Sequence, residues 1–202
     1  MRLYAITDRK LFSSREALLQ CVALWAEHAV DYVQIREKGL GADEMAALAA
    51  EIVQTVRKAG THTRVLLNGP AEIAAATGCD GIHLPSGMPD GAIAEVCSRM
   101  QTDLREPVIS VSCHAIGELQ RARDEGASLA LFAPIFEKRL PEGKISGQGL
   151  QALAAACTAA APLPVFALGG VDEHNAQACI DAGAVGIAAI RLFTADGWRH
   201  LL

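Results

Sequence analysis

Short apolar runs alternate with Ala- and Leu-rich stretches of helical period from one end of the chain to the other. The runs predict strands at Leu3–Ile6, Tyr32–Arg36, Arg64–Asn68, Gly81–Leu84, Val108–Cys113, Leu129–Pro134, Val165–Gly169 and Val185–Ile190. The helical period predicts helices at Arg15–Ala29, Ala42–Ala59, Ala71–Thr77, Ala92–Met100, Ile116–Glu125, Gly149–Ala160 and Glu173–Ala182, and a last short one from about Leu192 to Leu202. Eight strands in strict alternation with eight helices call for parallel pairing through crossover helices. Eight repeats favour an α/β fold closed as a (β/α)8 TIM barrel, although 202 residues is at the small end for one. The alternative is an open doubly wound sheet, but no G-x-G-x-x-G follows any of these strands. No linker or composition shift divides the chain, so residues 1–202 are expected to form one compact domain.

A barrel gathers its chemistry at the carboxyl ends of its strands, and the polar residues of this chain fall there. The segment Tyr32-Val33-Gln34-Ile35-Arg36-Glu37-Lys38 is the most informative. Side chains alternate faces along a strand, so Gln34, Arg36 and Lys38 share one face over about 13 Å while Val33 and Ile35 line the other. Buried without partners, such cations cost several kcal/mol each, roughly. They are therefore expected to meet water or a bound anion, Arg36 as a fork for carboxylate or phosphate and Lys38 as a point charge. Asn68 ends the third strand. After the seventh, Gly169-Gly170 allows backbone N–H groups to approach an anion beside a helix start. Ala189 and Ile190, at the end of the eighth, could add donors to this candidate phosphate site.

Ser112 and His114 share a face at the end of the fifth strand, and His83 lies in the fourth. Either histidine could serve as acid or base, since the imidazole titrates near neutrality, or could be structural. The loop from Ile135 to Gly149 is the longest between a strand and a helix, the usual form of a lid or binding loop. It carries Glu137, Lys138, Arg139, Glu142 and Lys144. Lys144 and the Gly147-Gln148-Gly149 turn are its best ligand candidates.

Composition narrows the classes. Just over half the residues are apolar and a fifth are charged, as in a well-cored globule. The net charge of −5 argues against nucleic acid as a partner. No apolar run reaches the length of a membrane span, and the N-terminus lacks the h-region and cleavage site of a signal peptide. The six cysteines are scattered with no C-x-x-C pair, so neither a disulfide framework nor a zinc site is expected. Cys113 is read as packing, and a reduced cytoplasmic setting is the simplest one. A homodimer is possible, but the sequence marks no face for it.

Read in order, Tyr4-Ala5-Ile6-Thr7-Asp8, Val33-Gln34-Ile35-Arg36-Glu37-Lys38, Asp80-Gly81-Ile82-His83-Leu84, Ser110-Val111-Ser112-Cys113-His114 and Ala167-Leu168-Gly169-Gly170-Val171 resemble the thiamine phosphate synthase and TenI superfamily over almost the whole chain. The resemblance implies a small phosphorylated thiazole or thiamine metabolite as ligand. Synthases of that superfamily join a pyrimidine diphosphate to a thiazole phosphate and release pyrophosphate, using Mg²⁺ held by two aspartates. Gly69 and Met88 stand where those aspartates are expected, with Asp90 two residues late, and Glu137-Lys138-Arg139-Leu140-Pro141 replaces a Thr-rich pyrophosphate loop.

Asn68-Gly69, Leu84-Pro85-Ser86-Gly87 and Phe136-Glu137 with Gly147-Gln148-Gly149 instead look like the TenI branch, which aromatises a thiazole carboxylate phosphate tautomer without metal. Pro134 stands at that branch's catalytic His. The resemblance thus implies a metal-independent thiazole tautomerase with no cofactor. In it, Gln34, Arg36, Lys38, Asn68, Ser112 and Lys144 bind substrate, Gly169, Gly170, Ala189 and Ile190 bind phosphate, and His83, His114 or Glu137 moves the proton. The alternatives are a synthase with an altered Mg²⁺ site, and a non-catalytic barrel that binds thiazole or thiamine phosphate.

Overall fold

In the computed structural model, which describes residues 1–100, 106–140 and 143–202, the apolar runs become eight parallel strands hydrogen-bonded into a closed ring. Around the ring these are β1 (Arg2–Ile6), β2 (Tyr32–Ile35), β3 (Arg64–Leu67), β4 (Gly81–Leu84), β5 (Val108–Cys113), β6 (Leu129–Phe132), β9 (Val165–Leu168) and β10 (Gly186–Ala189), which pairs back onto β1. The strands β7 (Lys138–Leu140) and β8 (Gly143–Ile145) form a separate antiparallel pair inside the loop after β6. The sequence reading expected that segment as plain loop; Pro141 and Glu142 lie outside the described residues. The (β/α)8 barrel is present as expected.

Period-two alternation divides the strand residues into two packed sets. Tyr4, Ile6, Leu66, Leu129, Leu131, Phe166 and Ala188 fill the interior of the ring. Leu3, Ala5, Val33, Ile35, Val65, Leu67, Ile82, Ile109, Val165 and Ile187 point outward into a second core, beneath the helices. Strands buried on both faces read as unbroken apolar runs. The polar residues Gln34, His83, Ser110 and Ser112 share the inward parity of that first set, which places them inside the ring.

The helices are α1 (Arg15–Glu27), α2 (Ala42–Ala59), α3 (Ala71–Thr77), α4 (Ala92–Met100), α5 (Ile116–Asp124), α6 (Gly149–Ala160) and α7 (Ala176–Asp181). Local chemistry sets their ends. Ser14 caps α1 by accepting from the Ala17 N–H at 3.2 Å, and Gly60 closes α2 in the left-handed region.

Two predicted helices differ. The helix expected from Glu173 begins only at Ala176, because Asp172 Oδ1 takes the N–H groups of His174 and Asn175 in a side-chain turn. The expected final helix is two 3₁₀ segments, Arg191–Thr194 and Asp196–Leu201. The second presents buried Trp198 to Phe193, which packs edge-on against Trp25.

A belt of side chains closes the amino ends of the strands. Asp31, just before β2, accepts from Leu3 N–H in β1 at 2.8 Å; Asp80, before β4, accepts from Val65 N–H in β3 at 2.8 Å. Ser128, before β6, accepts from Ile109 N–H in β5 at 3.0 Å. Each satisfies an N–H at the start of a neighbouring strand, where the ladder has no further carbonyl to offer. Arg57 of α2 holds Asp80 at 2.8 Å.

Candidate active site

The carboxyl ends of the strands surround a chamber of about 790 Å³ that adjoins a cup of about 430 Å³. Arg36, Leu168, Gly169 and Ile190 line both. Arg36 is held in place through its backbone. Thr7 Oγ1 accepts from the Arg36 N–H at 3.1 Å and donates to Glu37 Oε1 at 2.6 Å. Glu37, 5% exposed, also takes the Arg9 N–H at 2.9 and 3.1 Å through its two oxygens. Strand β2 therefore ends at Ile35 rather than running on to Lys38, and Glu37 turns inward to tie the first and second strand ends together. Gln34, Arg36 and Lys38 nonetheless all line the chamber, by a turn rather than by strand alternation. Thr7 and Glu37 were missed as support for the site, because the sequence shows neither the turn nor its partner on β1.

Gln34 is 1% exposed, and its buried Oε1 has no hydrogen-bond partner among the described residues. An amide left unpaired against a cavity is costly unless a ligand or water completes it. Asn68 and Ser86 also face the chamber, and so does Pro134, which stands where the resemblance put a catalytic histidine.

His83 and Ser112 meet in the same wall. His83 is 4% exposed, with Nδ1 2.9 Å from Ser110 Oγ and Nε2 2.9 Å from Ser112 Oγ. Burial, helped by the Arg36 charge, pushes its pKa down to about 3. His83 is thus neutral near pH 7 and poorly placed as a base, since both ring nitrogens are already engaged. In the unfolded chain it takes up a proton near its ordinary value of about 6.5. Between the two values the unfolded state binds more protons, so stability is full above about pH 6.5 and is lost as pH falls toward 3. At pH 5 the loss is on the order of 2 kcal/mol. His83→Gln should flatten this acid limb in urea-unfolding midpoints followed from pH 7 to 4; parallel limbs would exclude His83 as the source.

His114 is arranged differently. Its Nδ1 lies 2.8 Å from the Ala133 carbonyl, which can only accept, so Nδ1 carries the proton and Nε2 is the basic nitrogen. Gln148 donates to the same carbonyl from Nε2 at 2.8 Å and fastens the loop before α6 to this wall. The Gly147 position explains part of that fit: a Cβ there would lie 2.4 Å from the Ile135 carbonyl oxygen.

The cup is lined by Gly169, Gly170, Ala189, Ile190, Arg36 and Arg191, together with Asp8, Glu137 and Asp172. Gly169 and Gly170 have φ of 95° and 69°, and added Cβ atoms would lie 2.8 Å from Pro134 and Phe136. The pair is therefore required for close packing against the segment after β6 as well as for access to the cup. The N–H groups of Gly170, Ile190 and Arg191 find no acceptor among the described residues, so they remain available to an anion. With three carboxylates in the lining, these donors and the guanidinium groups must carry the attraction. The helix dipole that the sequence suggested here is not in place, since α7 begins only at Ala176.

Glu137 and Lys144, expected as acid/base and ligand cation, lie 2.9 Å apart. Glu137 lines the cup and not the chamber with the histidines, and Lys144 lines neither wall. As for a divalent cation, Gly69 and Met88 supply no oxygen side chain where carboxylates would be needed. Asp90 is exposed and paired with Arg121 at 3.4 Å. No group of three or more metal-ligating side chains occurs among the described residues. The donor set does not fit the two-aspartate Mg²⁺ site.

Barrel and site define the class as a (β/α)8 protein whose polar residues converge on a two-part cavity at the carboxyl ends of the strands. Residues 3–193 match the family model described as thiamine monophosphate synthase. A putative thiamine-phosphate synthase of Geobacter sulfurreducens is 35% identical over 96% of this chain and 87% of its own length. A thiamine-phosphate synthase of Roseiflexus is 31% identical over 93% of this chain and 75% of its own length. The thiamine phosphate pyrophosphorylase structure from Pyrococcus furiosus superposes with a TM-score of 0.78 at 24% identity, covering 98% of this chain and 90% of that one, and shares the fold. The chain belongs to the thiamine monophosphate synthase family and thus to the proteins of thiamine biosynthesis.

Proposed function

We propose that the chain joins an aminopyrimidine diphosphate to a thiazole phosphate, the activity that gives its relatives their names. The observation that carries this reading is Gln34, an amide at the chamber wall whose carbonyl oxygen is buried and unpaired. A thiazole carboxylate phosphate has no N–H to offer that oxygen, whereas an aminopyrimidine presents an amino donor beside a ring-nitrogen acceptor, the complement of an amide. The combined cavity also exceeds what a single thiazole phosphate needs.

In this reading the thiazole phosphate anchors its phosphate in the cup, on the N–H groups of Gly170 and Ile190. The pyrimidine lies against Gln34. The thiazole nitrogen then bonds to the exocyclic methylene carbon as that carbon's bond to the diphosphate oxygen breaks, and Arg36 and Lys38 take up the charge on the departing pyrophosphate. No proton needs to move. This transferase reading displaces the tautomerase expected from the sequence, because the named relatives favour it.

A second reading, metal-free proton transfer on a thiazole carboxylate phosphate, is favoured by the misfit of the metal donor set and by His114, whose Nδ1 is engaged with the Ala133 carbonyl, leaving Nε2 as its acceptor nitrogen. One experiment separates the two. Purified protein is given both synthase substrates across a Mg²⁺ series, and separately the thiazole tautomer. Thiamine phosphate formation is the expected result. Accelerated aromatisation with no thiamine phosphate at any Mg²⁺ concentration would overturn the first reading in favour of the second.

A further inference from the structure

Behind the chamber wall lies a chain of four hydrogen-bonded side chains. Tyr4 Oη is 3.2 Å from Ser110 Oγ, which is 2.9 Å from His83 Nδ1, and His83 Nε2 is 2.9 Å from Ser112 Oγ. Tyr4 and Ser110 are fully buried; Ser112 lines the chamber. We propose that this chain is a one-way relay oriented from its buried end, where the Ser110 hydrogen must go to Nδ1; this fixes the His83 proton on Nε2 and makes Ser112 present its O–H to the ligand. Ser110 is then a positioning residue, and Ser112 selects for a ligand atom with a free lone pair, such as a ring nitrogen or a carboxylate or phosphate oxygen.

The direction follows from accounting for each proton. Outward, Tyr4 O–H donates to Ser110, Ser110 O–H to Nδ1, and Nε2–H to Ser112; every buried donor is used and only the Ser112 hydrogen is left, where a ligand can take it. Reversed, Ser112 donates to Nε2, Nδ1–H to Ser110, and Ser110 to Tyr4. The Tyr4 hydrogen is then stranded in the barrel interior, where it has no other partner among the described residues. In the mixed arrangement, with Tyr4 and Nδ1–H both donating to Ser110, the Ser110 hydrogen is stranded instead. An unpaired buried hydroxyl is costly enough to hold either arrangement to about a tenth of the population or less. A neutral imidazole is required throughout, since imidazolium would donate from both nitrogens, and the burial that depresses the His83 pKa supplies it.

The inference rests on the chamber being the ligand site and not on which reaction occurs there, and its test uses neither substrate. Protein labelled with ¹⁵N-histidine is examined by NMR at pH 7, with His83→Gln identifying the His83 signals. The expected result is a bare Nδ1 and a protonated Nε2 in the native chain. In Tyr4→Phe, which keeps the ring against Tyr32 and Phe166, the Ser110 hydrogen has only Nδ1 left to take it, so the same tautomer should persist. A proton on Nδ1 in either the native chain or Tyr4→Phe would overturn the relay.

Discussion

Arg36→Ala is expected to weaken binding of pyrophosphate by about 30- to 700-fold, corresponding to about 2–4 kcal/mol for a charge-assisted pair lost from a partly desolvated site. The size of the effect follows from its place, since its side chain lines both the cup and the chamber. The fold should tolerate the loss. Thr7 grips the backbone N–H of residue 36, not its guanidinium, so the bracket through Glu37 to Arg9 survives the truncation. Arg36→Lys should recover only part of the affinity, because an ammonium cannot reproduce the planar fork. Isothermal calorimetry with pyrophosphate checks both variants, alongside unfolding midpoints that should stay near the native value. A loss below about threefold for Arg36→Ala would remove Arg36 as the main anion ligand.

Gly81→Ala should have the largest effect on stability, about 3 kcal/mol or more, with little folded protein recovered at 37 °C. Gly81 opens β4 and pairs with Val108 of β5. A Cβ there would lie 1.9 Å from the Val108 carbonyl oxygen and 2.8 Å from its nitrogen. Those are backbone atoms of a closed ring, so one strand cannot yield without opening the ladder beside it. Gly117, in α5 with open space around it, is the matching control. Gly117→Ala should stabilise by roughly 0.5–1 kcal/mol through helix propensity. Urea denaturation of the two variants decides this, and a Gly81→Ala protein within 1 kcal/mol of native would contradict the close approach seen at β4, by the usual scale for core overpacking (roughly 1–3 kcal/mol).

The barrel was legible because period is a local property. Runs such as Val65-Leu66-Leu67 and Leu129-Ala130-Leu131-Phe132 announce strands buried on both faces, and alternation with helical stretches leaves few ways to close them. What escaped was set by single side chains acting on the backbone. Asp172 takes two N–H groups and delays α7, and no propensity argument reveals a side chain competing with the helix. The antiparallel pair β7 and β8 lies in a segment rich in charge and glycine, where alternation is too short to register.

At the site, residue types announced themselves but pairings did not. Gln34, Arg36, Lys38, Asn68, Ser112, His83 and His114 do meet around one chamber, as their strand positions suggested. Glu137 and Lys144 bind each other instead, and Tyr4 and Ser110, read from the sequence as strand filler, hold His83 from behind. A long-range hydrogen bond leaves no trace in the spacing of either partner.

The belt of Asp31, Asp80 and Ser128 has a consequence for how this molecule could change. These three side chains anchor the strands at the pole opposite the cavity, using groups that never approach it. Residues around the ligand can thus be exchanged without loosening the ring, since the anchoring is done elsewhere.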